Sequence, residues 1–127
     1  MMVNTGFSAI AALIGSDTTG DTTAFDYVAI GTGTTATAVT DTGLETQTDI
    51  QAGTGTRITT SVTNDTLQLV YDAFSFTGNT AVTEVGVYNG STGEDTDCLL
   101  SRTTFSAVNV TSDDTLKMTF KYQVKAG

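Results

Sequence analysis

Three turn-like segments of the chain place carboxylates close enough in sequence to raise the question of a bound cation. They contain Asp17 with Asp21, Glu94 with Asp95 and Asp97, and Asp113 with Asp114. Calcium takes six to eight oxygen ligands, and an EF-hand loop would repeat Asp-x-Asp-x-Asp-Gly ahead of a distal Glu. None of the three segments has that pattern. We interpret them as solvated turns, and Asp95 and Asp97 remain only weak metal candidates.

Other side chains that could carry chemistry are scarce. The chain has no histidine to act as a base for a nucleophile, and its single cysteine, Cys98, excludes an internal disulfide and the usual four-ligand zinc site. Two carboxylates would suffice for glycoside hydrolysis, but the aromatic residues mostly occupy positions that should face a core. The segment Gly31–Ala36, GTGTTA, matches a dinucleotide-binding loop, yet no helical pattern follows it. We expect no enzymatic activity and no cofactor.

The composition favours β-strands. Among 127 residues there are 29 threonines, 13 glycines and no proline. Threonine suits a pleated sheet because of its branched Cβ, and its hydroxyl keeps an exposed face soluble. The sequence therefore predicts one all-β domain, a β-sandwich or a small jelly-roll-like fold, with a short N-terminal helix.

Alternation of apolar and polar residues predicts six strands. They cover residues 25–31, 56–63, 66–76, 81–88, 98–105 and 115–124. A change of parity before Phe74 predicts a bulge or a change of sheet near Asp72–Ala73. Between the first two strands, Thr32–Gly55 shows little periodicity, and a loop of this length usually serves a function or an interface. We therefore predict a long loop at 32–55 with such a role.

The last predicted strand has the clearest alternation. Its apolar face should be buried and consists of Leu116, Met118, Phe120, Tyr122 and Val124. The opposite face carries Lys117, Lys121 and Lys125, which we call the lysine strip. Two interpretations stay open for this strip: it contacts an acidic partner, or it is a solvated strand face.

Residues 5–15 predict a short helix with Phe7, Ile10, Ala11 and Ile14 on one apolar stripe. A helix of this length is marginal alone in water, so it must pack on something. We favour a lid on the β-core. The alternative is an arm that docks on a neighbouring subunit, for which Phe7, Ile10 and Ile14 are the interface candidates.

The charge balance excludes several partners. The chain has 14 acidic and five basic residues and a net charge of −9, so it lacks the basic surface that binds nucleic acid or an anionic membrane. No apolar run approaches the length that spans a bilayer. No basic residue precedes the apolar run at 7–14, so we expect cytoplasmic synthesis without secretion. The excess of aspartate over lysine fits a halophilic source or, equally, solvated Asp/Thr-rich loops.

Three motifs are familiar: FDYVAIGTGTTA, VTEVGVYN, and LLSRTTFSAVNV followed by DDTLKMTFKY. Together they resemble a family of small β-rich virion structural proteins of tailed viruses of bacteria and archaea. The resemblance implies a β-sandwich-like fold, no enzymatic activity and a place on the virion surface. It does not distinguish head decoration, turret and tail.

The expected function is therefore decoration of, or turret formation on, the capsid of a tailed virus, with a haloarchaeal host as one interpretation of the acidity. The expected partners are the major capsid protein or other virion proteins. We also expect a homo-oligomer, a trimer or pentamer on a symmetry axis, because repetition turns weak contacts into avidity. A tail-associated, host-recognition or adhesin module is the alternative, although the absence of a secretion signal argues against an adhesin.

Overall fold

The computed structural model describes residues 1–15, 17, 23–94 and 96–126. Within these residues it contains one helix and seven strands. The elements are α1 (Asn4–Gly15), β1 (Tyr27–Gly31), β2 (Gln47–Ala52), β3 (Thr54–Ile58), β4 (Thr66–Ser75), β5 (Thr80–Tyr88), β6 (Leu99–Val110) and β7 (Thr115–Gln123).

The strands form two antiparallel sheets. The four-stranded sheet has the order β2-β1-β5-β6, and the three-stranded sheet has the order β3-β4-β7. Their inner faces enclose one apolar core, whose buried members are Val28, Ile30, Leu69, Phe74, Val82, Val85, Val87, Leu100 and Val110. The chain is thus a small all-β sandwich with a short N-terminal helix, as the sequence predicts.

The segment Thr32–Gly55 is not one long loop, and that prediction is wrong. It contains β2, which pairs with β1 from Tyr27↔Ala52 to Gly31↔Gln47, and it reaches the first residues of β3. The sequence of β2, QTDIQA, has no apolar alternation because β2 is an edge strand without a fully buried face. Its ladder hydrogen bonds to β1 hold it in the sheet, and these leave no trace in hydrophobic periodicity.

The helix ends at Gly15 as predicted and begins one residue earlier, at Asn4, but its inner face differs from the predicted one. Gly6, Ala9 and Ala12 are its buried residues, while Phe7 is 56% and Ile14 84% exposed. A Cβ atom at Gly6 would collide with the carbonyl oxygen of Leu100 on β6. Only small residues fit where the helix closely approaches the β6 backbone, and of the predicted apolar stripe Ile10 alone packs against the core.

Two sequence predictions concern strands β4 and β7, which pair in the three-stranded sheet: the change of parity before Phe74 and the buried face of the last strand. The register shift between Tyr71 and Phe74 shows that the predicted change of parity is a bulge within β4 and not a change of sheet. The four apolar residues of β7 pack against the core as predicted, but they are only half-buried because β7 is an edge strand: Leu116, Met118, Phe120 and Tyr122. Val124 lies beyond the strand and is 82% exposed, so its predicted burial is wrong.

Candidate docking surfaces

The lysine strip lies on the outer face of the three-stranded sheet. Lys117 and Lys121 belong to β7 and are exposed, whereas Lys125 follows the end of the strand. Four residues of extended chain place successive lysines about 13 Å apart. Lys121 is in register with Gln68 on the neighbouring strand β4, and Thr119 is in register with Val70. The strip therefore presents spaced positive charges beside the uncharged side chains of Gln68, Val70 and Thr119.

The net charge of the chain is distributed unevenly between the sheets. Residues 54–76 and 111–127, which supply the three-stranded sheet and its flanks, contain four basic and four acidic residues. All of the net negative charge therefore resides in the remaining segments, which supply the helix and the four-stranded sheet with its loops. A partner approaching the lysine strip meets the least acidic part of the molecule.

The outer face of the four-stranded sheet is covered by the loop of residues 32–46, which is held by a buried carboxylate. Glu84 on β5 is completely buried. Its two oxygens accept the backbone N–H groups of Gly33, Glu45 and Thr46 at 3.1, 3.0 and 2.7 Å. A carboxylate that accepts several backbone amides fixes the position of the backbone that supplies them.

Arg102 on β6 completes the same cluster. It is 2% exposed, and its Nε donates to Glu84 at 2.9 Å. Its remaining nitrogens reach the loop, at 3.1 Å from a carboxylate oxygen of Asp41 and 2.9 Å from the carbonyl oxygen of Thr35. Burial works against the guanidinium charge, but the carboxylates of Glu84 and Asp41 outweigh it and raise the pKa of Arg102. The loop, the arginine and the glutamate form one closed ionic unit.

The glycines of the motif GTGTTA have a structural explanation. A Cβ atom at Gly33 would come within 2.7 Å of a carboxylate oxygen of Glu84, so the loop backbone can wrap around this carboxylate only without a side chain there. Gly31 meets the same carboxylate. The dinucleotide-like spacing therefore reflects how the loop encloses Glu84.

An apolar contact seals the covered face beside this cluster. The side chain of Leu44 lies over Gly86, where a Cβ atom would come within 2.8 Å of Leu44 Cδ2. The backbone N–H of Leu44 donates to the phenol oxygen of Tyr88 at 2.8 Å. Burial raises the pKa of Tyr88 to about 12. The loop to which the sequence assigns a function or an interface thus serves largely as an internal cover.

The acidic turns use their carboxylates on their own backbone. Asp97 accepts the N–H groups of Thr92 and Gly93 at 2.9 and 2.7 Å, and Asp114 accepts that of Thr111 at 2.7 Å. The other weak metal candidate, Asp95, and also Asp21 lie outside the described residues. Across the described ranges, no three acidic or cysteine side chains are grouped in a way that could hold a metal ion. Asp97 is accounted for as a turn-stabilising residue.

Asp65 shows the same use of a carboxylate more fully. It accepts backbone N–H groups from Thr60, Ser61 and Val62 and a side-chain N–H from Gln123. The hydrogen bond from Thr60 is the largest cause that lowers the pKa of Asp65 far below its ordinary value. The turn between β3 and β4 is therefore tied to the end of β7.

The three predicted interface residues of α1 lie in different environments. Phe7 and Ile14 point to solvent, whereas Ile10 is half-buried against the core. Ile10 also lines a cleft of about 690 Å³ between α1 and the three-stranded sheet, together with Leu67 and Tyr122. In the part of the chain that the structure describes, no helix is long and apolar enough to cross a membrane.

The Glu84–Arg102 cluster is the feature that the sequence analysis missed. A signal was present, because Glu84 is the only charged residue in the otherwise apolar or small segment Ala81–Tyr88, and a buried carboxylate requires donors. Its partner Arg102 could not be identified without the pairing of β5 with β6, which places Arg102 opposite Gly86.

Comparisons with known proteins add no assignment. No protein-family model matches the chain, and no curated protein or solved structure matches it either.

Proposed function

We propose that this chain is a non-enzymatic virion structural protein that decorates, or forms a turret on, the capsid surface of a tailed virus. The observation that carries the proposal is the lysine strip on the open face of the three-stranded sheet. It presents Lys117, Lys121 and Lys125 on a chain whose net charge is −9. A surface of this kind fits an acidic partner such as a virion lattice, because complementary charge orients the encounter and fixes its register.

The proposed absence of catalysis is supported by how the buried charges are used. Glu84 and Arg102 are the buried ionisable side chains in the described residues, apart from tyrosines, and both are saturated by each other and by the loop 32–46. A general acid or base must be free to exchange a proton with a substrate. These two groups instead hold a cover in place.

The lattice role includes self-association as a trimer or pentamer on a symmetry axis. A domain of 127 residues offers limited area, and a stable interface buries about 800 Å² on each partner. Repetition around an axis multiplies weak contacts between the lysine strip and the capsid. The aspartate-rich composition supports a haloarchaeal host as a further part of the proposal, since acidic surfaces remain soluble in high salt.

Quantitative mass spectrometry of purified particles of the virus that encodes this chain tests the proposal. We expect the chain in hundreds of copies per particle if it decorates the shell, and at every fivefold vertex if it forms a pentameric turret. A copy number too low to fill the symmetry axes of the shell would instead identify a tail-associated or host-recognition module. Absence of the chain from purified particles would overturn a virion role altogether.

A further inference from the structure

The free edge of the three-stranded sheet is formed by β7, a long and regular strand. In the described part of the chain its ladder partner is β4 alone. The strand runs for nine residues, which is about 30 Å of extended chain. The extra residues of the bulge lie in β4, so β7 itself is uninterrupted. An edge strand leaves a row of backbone N–H and C=O groups without ladder partners. The edge of β7 is therefore a template for one further strand.

The other edge strands are less suited to such an addition. Strands β2 and β3 have only six and five residues. Strand β6 is bridged at Ser101 by Met2, and its ladder with β5 shifts register at two places. Short length and irregular pairing are common ways in which proteins protect an edge from further pairing. Strand β7 has neither protection, and the lysines are the feature that restricts what can pair with it.

The inner face of β7 is only partly covered. Its apolar side chains pack against the core and are half-buried, whereas Phe74 on the neighbouring strand β4 is 0% exposed. These side chains are Leu116, Met118, Phe120 and Tyr122. A further strand with apolar residues at alternate positions would cover their outer flank and extend the core by one strand.

The outer face of β7 determines the charge that a further strand must carry. Lys117 and Lys121 are exposed, and the lysines form no ion pair in the described part of the chain. On one face of an antiparallel pair, directly opposite residues have Cβ atoms about 5 Å apart, and opposite charges stabilise the pair. Carboxylates four residues apart on the added strand would stand opposite both lysines.

The carboxylates near β7 do not occupy this edge. Asp113 and Asp114 belong to the turn before the strand, where Asp114 accepts a backbone N–H of the turn itself. At the other end, Asp65 accepts a side-chain N–H from Gln123. Asp72 lies in the bulge of β4, on the side of β7 away from its free edge. The free edge beside the two lysines thus remains open to the carboxylates of a partner.

A second copy of β7 does not suit this edge. Lysines recur every four residues along β7 and its continuation, on a face whose positions recur every two. If two copies pair antiparallel with their apolar residues on one side, each register that aligns the strand centres sets a lysine directly opposite, or diagonal to, a lysine of the other copy. Like charges in these positions are destabilising. The lysines therefore reject an identical strand and favour an acidic one.

We infer that β7 accepts an extended segment of a virion partner as an additional antiparallel strand, with carboxylates opposite Lys117 and Lys121 and apolar side chains that continue the core. The inference rests on the proposed function and assigns the form of the contact made by the lysine strip. In such a contact, main-chain hydrogen bonds supply affinity, while charge selects the partner and its register.

A synthetic strand tests the inference without any virus. The probe is the fluorescein-labelled peptide TVEVTVEVT, which has glutamates four residues apart on one face and valines on the other. Fluorescence anisotropy measures its binding to the purified full chain. We expect it to bind, and we expect the matched peptide TVKVTVKVT to bind at least about 10-fold more weakly, because its lysines would oppose those of β7.

Exchange of the charges separates recognition from loss of folding. The Lys117→Glu/Lys121→Glu variant should bind TVEVTVEVT at least about 10-fold more weakly than the wild type does, and should prefer TVKVTVKVT instead. The matched control, Lys117→Arg/Lys121→Arg, keeps the charge and should bind as the wild type does. A variant that gains the opposite preference must still present a folded edge.

Backbone methylation distinguishes strand addition from attraction of charge alone. Two versions of TVEVTVEVT carry N-methyl groups on alternate backbone nitrogens, one version on the odd and the other on the even positions. In an antiparallel pair, alternate N–H groups point to the neighbouring strand. One version should therefore lose binding at least about 10-fold, and the other should keep it. Charge attraction alone would leave both unchanged.

Three results would overturn the inference: no binding of TVEVTVEVT up to about 1 mM, equal binding of the acidic and basic peptides, or equal effects of the two methylated versions. The first would show that the lysines only protect the edge from pairing. The particle test has a separate outcome. A chain absent from virions that still binds the acidic strand in this way would refute the virion role and leave strand addition standing.

Discussion

The two sheets of this sandwich have outer faces of different kinds. On the four-stranded sheet, the loop 32–46 crosses the face, and Glu84 and Arg102 beneath it are 0% and 2% exposed. On the three-stranded sheet, no described loop covers β7, and Lys117, Thr119 and Lys121 stay in solvent. Charge is enclosed where a neighbouring strand and a loop backbone supply its partners, and it remains available for binding where nothing covers it.

The charged side chains of the two outer faces also differ in role: those on the covered face contribute to stability, and those on the open face are available for binding. A charge pair inside the covered face is costly to break, because removal of one member leaves the other buried without a partner. A lone charge on the open face is solvated, and its replacement changes stability little. The comparison therefore predicts large stability effects on one sheet and large binding effects with small stability effects on the other.

Breaking the buried pair should give the largest loss of stability. Arg102→Ala leaves the Glu84 carboxylate buried with amide donors alone, and we expect a loss of about 3–5 kcal/mol in the free energy of unfolding. Urea denaturation measures it. The matched control is Arg57→Ala, at an exposed arginine, which should cost no more than about 0.5 kcal/mol. Equal losses in the two variants would show that the cluster does not hold the cover.

The core side of the three-stranded sheet should show a graded response. Phe74 on β4 is 0% exposed, so Phe74→Ala should cost about 3–5 kcal/mol. Phe120 on the edge strand β7 is half-buried, and Phe120→Ala should cost about 1–2 kcal/mol because less apolar surface is lost. Urea denaturation of both variants checks the difference. A cost for Phe120→Ala equal to that for Phe74→Ala would indicate that a further element covers β7.

Alkaline pH should weaken both sheets through their buried phenols. Burial raises the pKa of Tyr88 and of Tyr122 to about 12, above the ordinary value of 10. Because the folded state favours the neutral phenol, this contribution to stability is complete below pH 10 and is lost as the pH rises towards 12. Urea midpoints measured from pH 8 to 12 should decline only above pH 10, and less so in Tyr122→Phe. Midpoints that stay constant up to pH 12 would contradict the assigned burial.

Reversal of the lysine strip should have the smallest effect on stability. Changing Lys117, Lys121 and Lys125 to Glu should alter the free energy of unfolding by less than about 0.5 kcal/mol at each site, since all three are exposed. The same variant should lose binding to capsids stripped of this protein. A triple Lys→Arg variant, which keeps the charge, should bind as the wild type does. Unchanged occupancy by the Glu variant would leave the strip a solubility feature.

The sequence predicts more of the three-stranded sheet than of the four-stranded sheet, and the reason is physical. The strand β7 was recognised because it has one wet and one apolar face, which imposes a period of two on Leu116, Met118 and Phe120. The bulge in β4 was visible as a change of parity for the same reason. The period of two does not reveal how deeply the apolar residues of β7 are buried, because their burial depends on whether another strand lies beyond β7.

The covered sheet was harder to predict because its contacts are polar and distant in sequence. The strand β2 is held by backbone ladders, and Glu84 is satisfied by amides 38 to 51 residues away. The inner face of α1 was misassigned because close approach to Leu100 selects Gly6 rather than large apolar residues. Hydrophobic periodicity identifies the buried face of a helix or strand only when large apolar side chains make the packing contacts.

Differential lysine labelling tests most directly the central claim that the open face of the three-stranded sheet docks on the virion. The three lysines of the chain are the three members of the lysine strip, so acylation of amines followed by mass spectrometry reports on this strip and the amino terminus alone. We predict that Lys117 and Lys121 react readily in the free protein and are strongly protected on purified particles. Equal labelling of these two lysines in both samples would contradict the claim.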